Sequence, residues 1–352
     1  MSVLKRTLAL ALALGMIAMF FSACERNITR VEEVAAPVNC FECHSDQNTF
    51  IVAAYEQWKN SVHGSSLNID RGGSEGCAGC HISEGFVQRA NGETVTGSDN
   101  PTPIHCFTCH APHSNGDFGL RWNQVATSLT GDSFDLGNGN ICVACHQARK
   151  DVNTYVTGRP KLSSHWGPHH SVQGDNLIGT NGYEYAGFTY ERTNHRAVPD
   201  GCVACHMKTT SNSVVGGHSW NMEYELRGEG GDIEVVKNTA ACSVPGCHGA
   251  IDDFSEIGFG GYSVQDSVDV LIDELIVLLE GAGLWEGGMD GEPMPNVTTS
   301  ADSAGAVWNL LMVKEDRSHG VHNAKYMMGM LQSAIMYMEG NLPQTSSVAR
   351  KQ

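Results

Sequence analysis

Five pentads of the form Cys-x-x-Cys-His punctuate the chain, ending at His44, His81, His110, His146 and His206. This is the spacing of a covalently attached c-type haem: two thioether bonds fix the porphyrin, and the adjacent histidine takes the proximal face of the iron. Chance, at this composition, predicts far fewer than one such pentad. Zinc is disfavoured because each motif carries its own histidine rather than pairing with a second Cys-x-x-Cys. A chain so marked must fold around groups bonded to Cys40 and Cys43, Cys77 and Cys80, Cys106 and Cys109, Cys142 and Cys145, and Cys202 and Cys205.

Those pairs use ten of the 13 cysteines. Cys242 and Cys247 precede His248 with four residues between them, including Pro245 and Gly246, which suit a tight turn. This wider spacing reads as a sixth haem motif; the alternative is a disulfide that happens to precede a histidine. Cys24 alone is left over. It follows a positive n-region, Lys5 and Arg6, and an apolar run from Thr7 to Phe21, which is too short to be preferred as a spanning helix. Residues 1–23 therefore read as a secretory leader. Export agrees with the motifs, since c-type haem is attached outside the cytoplasm. The 39 acidic residues outnumber 22 basic ones, for a net charge of −17, and two of the basic residues would leave with the leader. Such a surface excludes nucleic acid as a natural partner and suits basic redox proteins or cationic metal species.

The expected fold class is mostly α and irregular, a haem-wrapped multihaem cytochrome c with a C-terminal helical segment. Only 7% of residues are aromatic, while 40 are glycine, which suits a chain draped over porphyrins better than layered sheets or bundles. The expected domains are a tether over 24–38, a multihaem domain with little regular structure over 39–260, C-terminal helices packing on it over 261–342, and a tail over 343–352. A short helix is predicted from Ile51 to Ser61. Ser263 can cap a helix with Asp266 at the third position. Val264, Val268, Leu271, Leu275, Leu278 and Leu279 recur along it at helical spacing until Gly281 and Gly283. Further helices are predicted over 302–315 and 323–339. In the last, Met327, Met330, Leu331, Ala334, Ile335 and Met338 share one face; such a methionine stripe can offer metal ligands but reads as core packing.

The stretch from His195 to His218 reads as one haem station around Cys202, Cys205 and His206, with either flanking histidine able to take the distal face. His113 lies three residues after His110, too close to reach its own haem's far side, so it is expected to serve a neighbour; His105 is a rival for that role. Met207, next to a proximal histidine, is read as packing.

Several flanking segments resemble those of the multihaem group that includes cytochrome c nitrite reductases, hydroxylamine oxidoreductases and their small electron-carrier relatives. The resemblance is carried by WKNSVHG (58–64), CHAPH (109–113), SHWGPHH (164–170), RTNHRAVPDGCVACHM (192–207), GGHSWNM (216–222) and EDRSHGVHN (315–323). It implies distal iron ligands at His63, His113, one of His169 and His170, His195, His218, and one of His319 and His322, with His322 favoured. The end FSAC resembles a bacterial lipobox, implying cleavage before Cys24 and a diacylglycerol on its sulfur. The alternative is ordinary leader cleavage, leaving a free thiol. Glu25 after the cysteine implies, by analogy with enteric sorting, an outer-membrane lipoprotein facing the periplasm or the cell surface.

Of 16 histidines, six belong to motifs and six more are distal candidates, leaving four spare. Six covalently bound haems with two imidazoles each would be low-spin, closed to substrate and suited to carrying electrons. An enzyme acting on a small nitrogen or sulfur oxyanion needs an open iron. Nitrite reductases often mark that haem with lysine in the motif, and no Cys-x-x-Cys-Lys occurs here. A third reading is a homo-oligomeric cytochrome filament in which a spare histidine reaches the next copy; a lipid anchor argues against a freely released one. Lasting attachment takes at least two acyl chains. Cys24→Ala is therefore expected to release soluble cytochrome or stall processing, as cell fractionation would show; unchanged membrane association would count against the lipobox.

Overall fold

The computed structural model describes residues 49–115, 118–228 and 230–341. The chain divides into two units, Met1–Ser45 and Asp46–Gln352, and every described residue belongs to the second. Cys24 and the first motif, Cys40, Cys43 and His44, lie outside the described residues.

Among the described residues, four helices exceed eight residues: α1 (Thr49–Lys59), α2 (Val264–Gly281), α3 (Ala301–Lys314) and α4 (Ala324–Met338). Between α1 and α2 the described helices run to eight residues at most and are separated by irregular chain. Four two-stranded antiparallel ribbons complete the inventory. They pair β1 (Ala126–Thr127) with β2 (Ser133–Phe134), β3 (Glu223–Arg227) with β4 (Ile233–Lys237), β5 (Gly258–Phe259) with β6 (Tyr262–Ser263), and β7 (Trp285–Glu286) with β8 (Glu292–Pro293). The β3–β4 hairpin was not anticipated, although its glycine-rich turn lies between two strand-like runs. No described helix is long and apolar enough to cross a membrane.

The C-terminal helices form where periodicity places them. Ser263 Oγ accepts the Asp266 amide hydrogen at 3.0 Å, capping α2. Val264, Val268, Ile272, Leu275, Ile276 and Leu279 are its buried face; Leu271 and Leu278 lie at the margin, a small rotation from the expected stripe. Helix α3 is buried on all sides from Ala304 to Val313, the pattern of a central helix. The methionine face of α4 packs into the same core, with Met327 and Met330 fully buried.

This core is also what fixes the long insert after the fourth motif. Asn309, fully buried on α3, accepts the Tyr183 amide hydrogen at 2.7 Å and donates to the Tyr183 carbonyl at 2.9 Å and to the Met330 carbonyl at 3.2 Å. Trp308 Nε1 donates to the Asn181 carbonyl at 2.7 Å, and Tyr326 Oη accepts from the Gly182 amide at 3.0 Å. Gly305 lets the Tyr183 ring lie against the helix, where a Cβ would come within 2.3 Å of it. Asn309→Ala would strand buried backbone groups of Tyr183 and Met330, costing about 2–4 kcal/mol. A clear fall in the thermal midpoint of the haem-loaded protein by circular dichroism is expected. Val277→Ala, on the exposed face of α2, should leave the midpoint nearly unchanged.

Candidate functional site

The motifs adopt one local shape. Glu75–His81, Cys106–Cys109 and Cys202–His206 are helices of one or two turns that carry both motif cysteines, three residues apart and so on one face, while Asn140–Val143 carries Cys142 and ends before Cys145. The histidine that closes the motif returns to the first cysteine: the His110 amide donates to the Cys106 carbonyl at 2.9 Å, and that of His146 to Cys142 at 2.8 Å. The wide motif keeps this closure. Gly246 adopts a left-handed φ of 89°, the extra residues loop out, and the His248 amide faces the Cys242 carbonyl at 3.4 Å. Cys242 and Cys247 are unbridged, as are all described cysteines. His105 has a use the sequence did not suggest. Its Nδ1 accepts the Phe107 amide hydrogen at 3.2 Å while Thr108 Oγ1 accepts its own amide hydrogen at 2.9 Å, a capping box for the third motif.

Each described motif histidine faces one imidazole from a distant part of the chain. His81 faces His169 with ring centres 6.3 Å apart, His110 faces His218 at 6.3 Å, and His146 faces His63 at 6.2 Å. His206 faces His322 at 6.1 Å and His248 faces His195 at 6.0 Å. Two imidazoles on opposite faces of one metal, each bonded through nitrogen at about 2 Å, have ring centres about 6.2 Å apart. Among the described residues no group of three or more histidine, cysteine, aspartate or glutamate side chains could hold a bare ion. Paired axial imidazoles with thiols alongside are instead the donor set for an iron whose equatorial ligands come from a porphyrin, so the residues present fit haem c.

The station expected between His195 and His218 divides between motifs. Neither flanking histidine faces His206: His195 goes to His248 and His218 to His110, because the turn before α4 brings His322 to His206 instead. Of His169 and His170, His169 meets a motif ring. It holds a left-handed φ of 83°, a strained backbone for a non-glycine residue, and the Arg149 amide donates to the preceding Pro168 carbonyl at 2.8 Å. His170 Nδ1 is occupied by Glu315 at 2.7 Å, and His319 Nδ1 by Asp269 at 2.6 Å. His165 is exposed, as is His113, whose ring centre lies 6.1 Å from that of Phe107.

Hydrogen bonds orient most of the paired rings through Nδ1, leaving Nε2 for a metal. His110 donates to the Phe118 carbonyl at 2.6 Å, His195 to that of Val321 at 2.7 Å, and His206 to that of Trp220 at 2.9 Å. His146 lies 3.1 Å from Gln173 Oε1 and His169 3.1 Å from Ser171 Oγ. His322 Nδ1 meets both oxygens of Asp316, at 2.9 and 3.0 Å. Burial lowers the pKa of His63 to about 4, with His146 adding to the effect, and does the same to His169, helped by His170. Burial also pulls His81, His146, His206, His218 and His248 down, holding these rings neutral, the form that binds metal. His322 is the exception: burial opposes the charge, but the Asp316 carboxylate outweighs it and raises the pKa.

The motifs touch one another. The Cys80 and Cys145 side chains lie side by side, as do those of Cys142 and Cys202. Cys142 also lies beside Cys109, and Cys205 near Cys242 and Cys247. Trp220, at a left-handed φ of 54°, lies among three of these sites. Its ring meets His63 edge-on at 4.9 Å and His218 at 5.8 Å, and its carbonyl holds His206.

No protein-family model matches the chain, and no solved structure matches it. Among curated proteins it is similar to the C-type polyheme cytochrome OmcB of Geobacter sulfurreducens, found in two strains, at 25% identity over 230 residues, which is 51% of this chain and 29% of the relative. The C-type polyheme cytochrome OmcC of the same organism is 25% identical over 199 residues, 42% of this chain and 26% of the relative. The chain thus spans less than a third of the length of the curated relatives it matches. This distant homology supports a multihaem c-type cytochrome with covalently bound haem c.

Proposed function

We propose that the chain is an exported, lipid-anchored hexahaem cytochrome that carries electrons through bis-histidine haems in anaerobic or extracellular respiration. The observation that carries this reading is the uniform separation of five imidazole pairs, each joining a motif histidine to one distal candidate. In this reading His81, His110, His146, His206 and His248 are proximal ligands, opposed by His169, His218, His63, His322 and His195. His44 is proximal in the first motif and His113 is a distal ligand. Haem supplies an iron that exchanges one electron. The protein's own contribution would be to offer two imidazoles to each such iron, so that it could change oxidation state without ligand exchange.

The thiol contacts support a connected path. Each attached cysteine sulfur would be bonded to a haem, so closeness between sulfurs of two motifs would bring two haems together. The 142–146 motif becomes a junction for those at 77–81, 106–110 and 202–206, and the path continues from 202–206 to 242–248. An acidic surface suits basic redox proteins as partners. Cys24 is the proposed lipid anchor, holding the protein to the outer membrane on its periplasmic or outer face.

Two experiments test this. Intact mass of the matured protein should correspond to six haems; five haems with free Cys242 and Cys247 thiols would remove the wide motif. Low-temperature electron paramagnetic resonance of the oxidised protein should show low-spin iron throughout. His218→Ala should then create one high-spin signal and raise one potential, whereas His165→Ala should change nothing. A strong high-spin signal before mutation, with turnover of nitrite or hydroxylamine, would overturn the carrier in favour of an enzyme.

A further inference from the structure

The paired histidines differ in what holds them from behind. Carbonyls orient His110, His195 and His206, a side-chain amide orients His146, and a hydroxyl orients His169; all these partners are neutral. His322 alone among the paired rings has an ion-pair contact with a carboxylate among the described residues. The Asp316 side chain is fully buried, and both of its oxygens lie within 3.0 Å of His322 Nδ1. Ser318 Oγ donates to Asp316 Oδ2 and accepts the His322 amide hydrogen at 3.3 Å, tying carboxylate and imidazole into one turn. The other carboxylates that meet histidines, Glu315 on His170 and Asp269 on His319, serve rings that face no described motif histidine.

We propose that Asp316 is a positioning and tuning residue that makes the iron between His206 and His322 the lowest in potential of the five whose ligands are described. This rests on the bis-histidine reading above. A carboxylate on Nδ1 draws the ring proton toward itself and increases electron donation from Nε2. A buried anion beside the iron also favours the more positive ferric state, and burial leaves that field poorly screened. On the opposite face His206 donates to the Trp220 carbonyl, which adds in the same direction. No other pair combines two such donors. The 202–206 motif lies between the 142–146 junction and the 242–248 motif, so electrons crossing from one to the other must climb onto this centre. The uphill hop is thereby placed at one residue's command.

Asp316→Asn in the full-length, haem-loaded protein removes the charge while keeping the size and an acceptor for Nδ1. Spectroelectrochemical titration should show one haem moving to more positive potential and losing its place as the lowest. One low-spin signal in electron paramagnetic resonance should shift its g-values while remaining low-spin. Ser318→Ala, which strips a hydrogen-bond donor from the carboxylate and leaves it a stronger acceptor for Nδ1, should shift the same haem alone, by less and toward more negative potential, and serves if Asp316→Asn does not mature; no shift of that haem would count against the tuning role. Glu315→Gln should leave that haem where it is. His322→Ala separates the two layers of the argument. If it yields a high-spin iron while Asp316→Asn moves no potential, ligation stands and the tuning role is wrong. If His322→Ala leaves every iron low-spin, the ligand assignment itself is wrong.

Discussion

Two imidazoles brought from distant parts of the chain to a common separation of about 6 Å are the constraint on which this structure turns. A motif needs only one helical turn to present its thiols and first histidine. The opposing ring must be delivered by some other segment and held at a set distance. Most of the irregular chain between α1 and α2 is explained by that delivery. The loop bearing His169, the glycine turn bearing His218 and the short turn bearing His195 are poor secondary structure, but each ends in a ring facing a motif.

The C-terminal helices complete the arrangement from outside. They carry no motif, yet the turn entering α4 supplies His322 opposite His206, and its Val321 carbonyl orients His195 opposite His248. That turn is fixed by the packing of α2, α3 and α4, and the same core anchors the insert that follows the fourth motif through Asn309, Trp308 and Tyr326. Hydrophobic packing, which is ordinary here, therefore sets the geometry of sites that contain little hydrophobic packing of their own. Asp316, on the same turn, adds charge to one of them.

Much of this was legible in the residues. The motifs announce themselves by spacing, and α2 to α4 follow from apolar periodicity to within a residue or two, with Ser263 capping as its side chain suggests. The wide spacing at 242–248 was read as a motif because Pro245 and Gly246 suit a tight turn, and there Gly246 does take a left-handed φ while the His248 amide faces the Cys242 carbonyl. The partnership of histidines was not legible. Closeness in sequence suggested that His195 and His218 serve His206, but facing rings are set by tertiary packing, which carries no local spacing signal. The choice of His169 over His170 depends on Glu315, which belongs to a different helix end. The capping role of His105 was visible only as a ligand-dense run, and the β3–β4 hairpin was hidden by an expectation that little regular structure precedes residue 260.

Trp220 ties three sites together through one residue: its indole touches His63 and His218, and its carbonyl holds His206. Rate of passage between redox centres falls steeply with the gap between them, so a wire made of separately suspended pieces would flicker as the protein breathes. A shared strut makes neighbouring pieces move together. In the proposed carrier, thermal motion would then displace the assembly without much altering its internal gaps, and passage would be buffered against movement of the loops that build it.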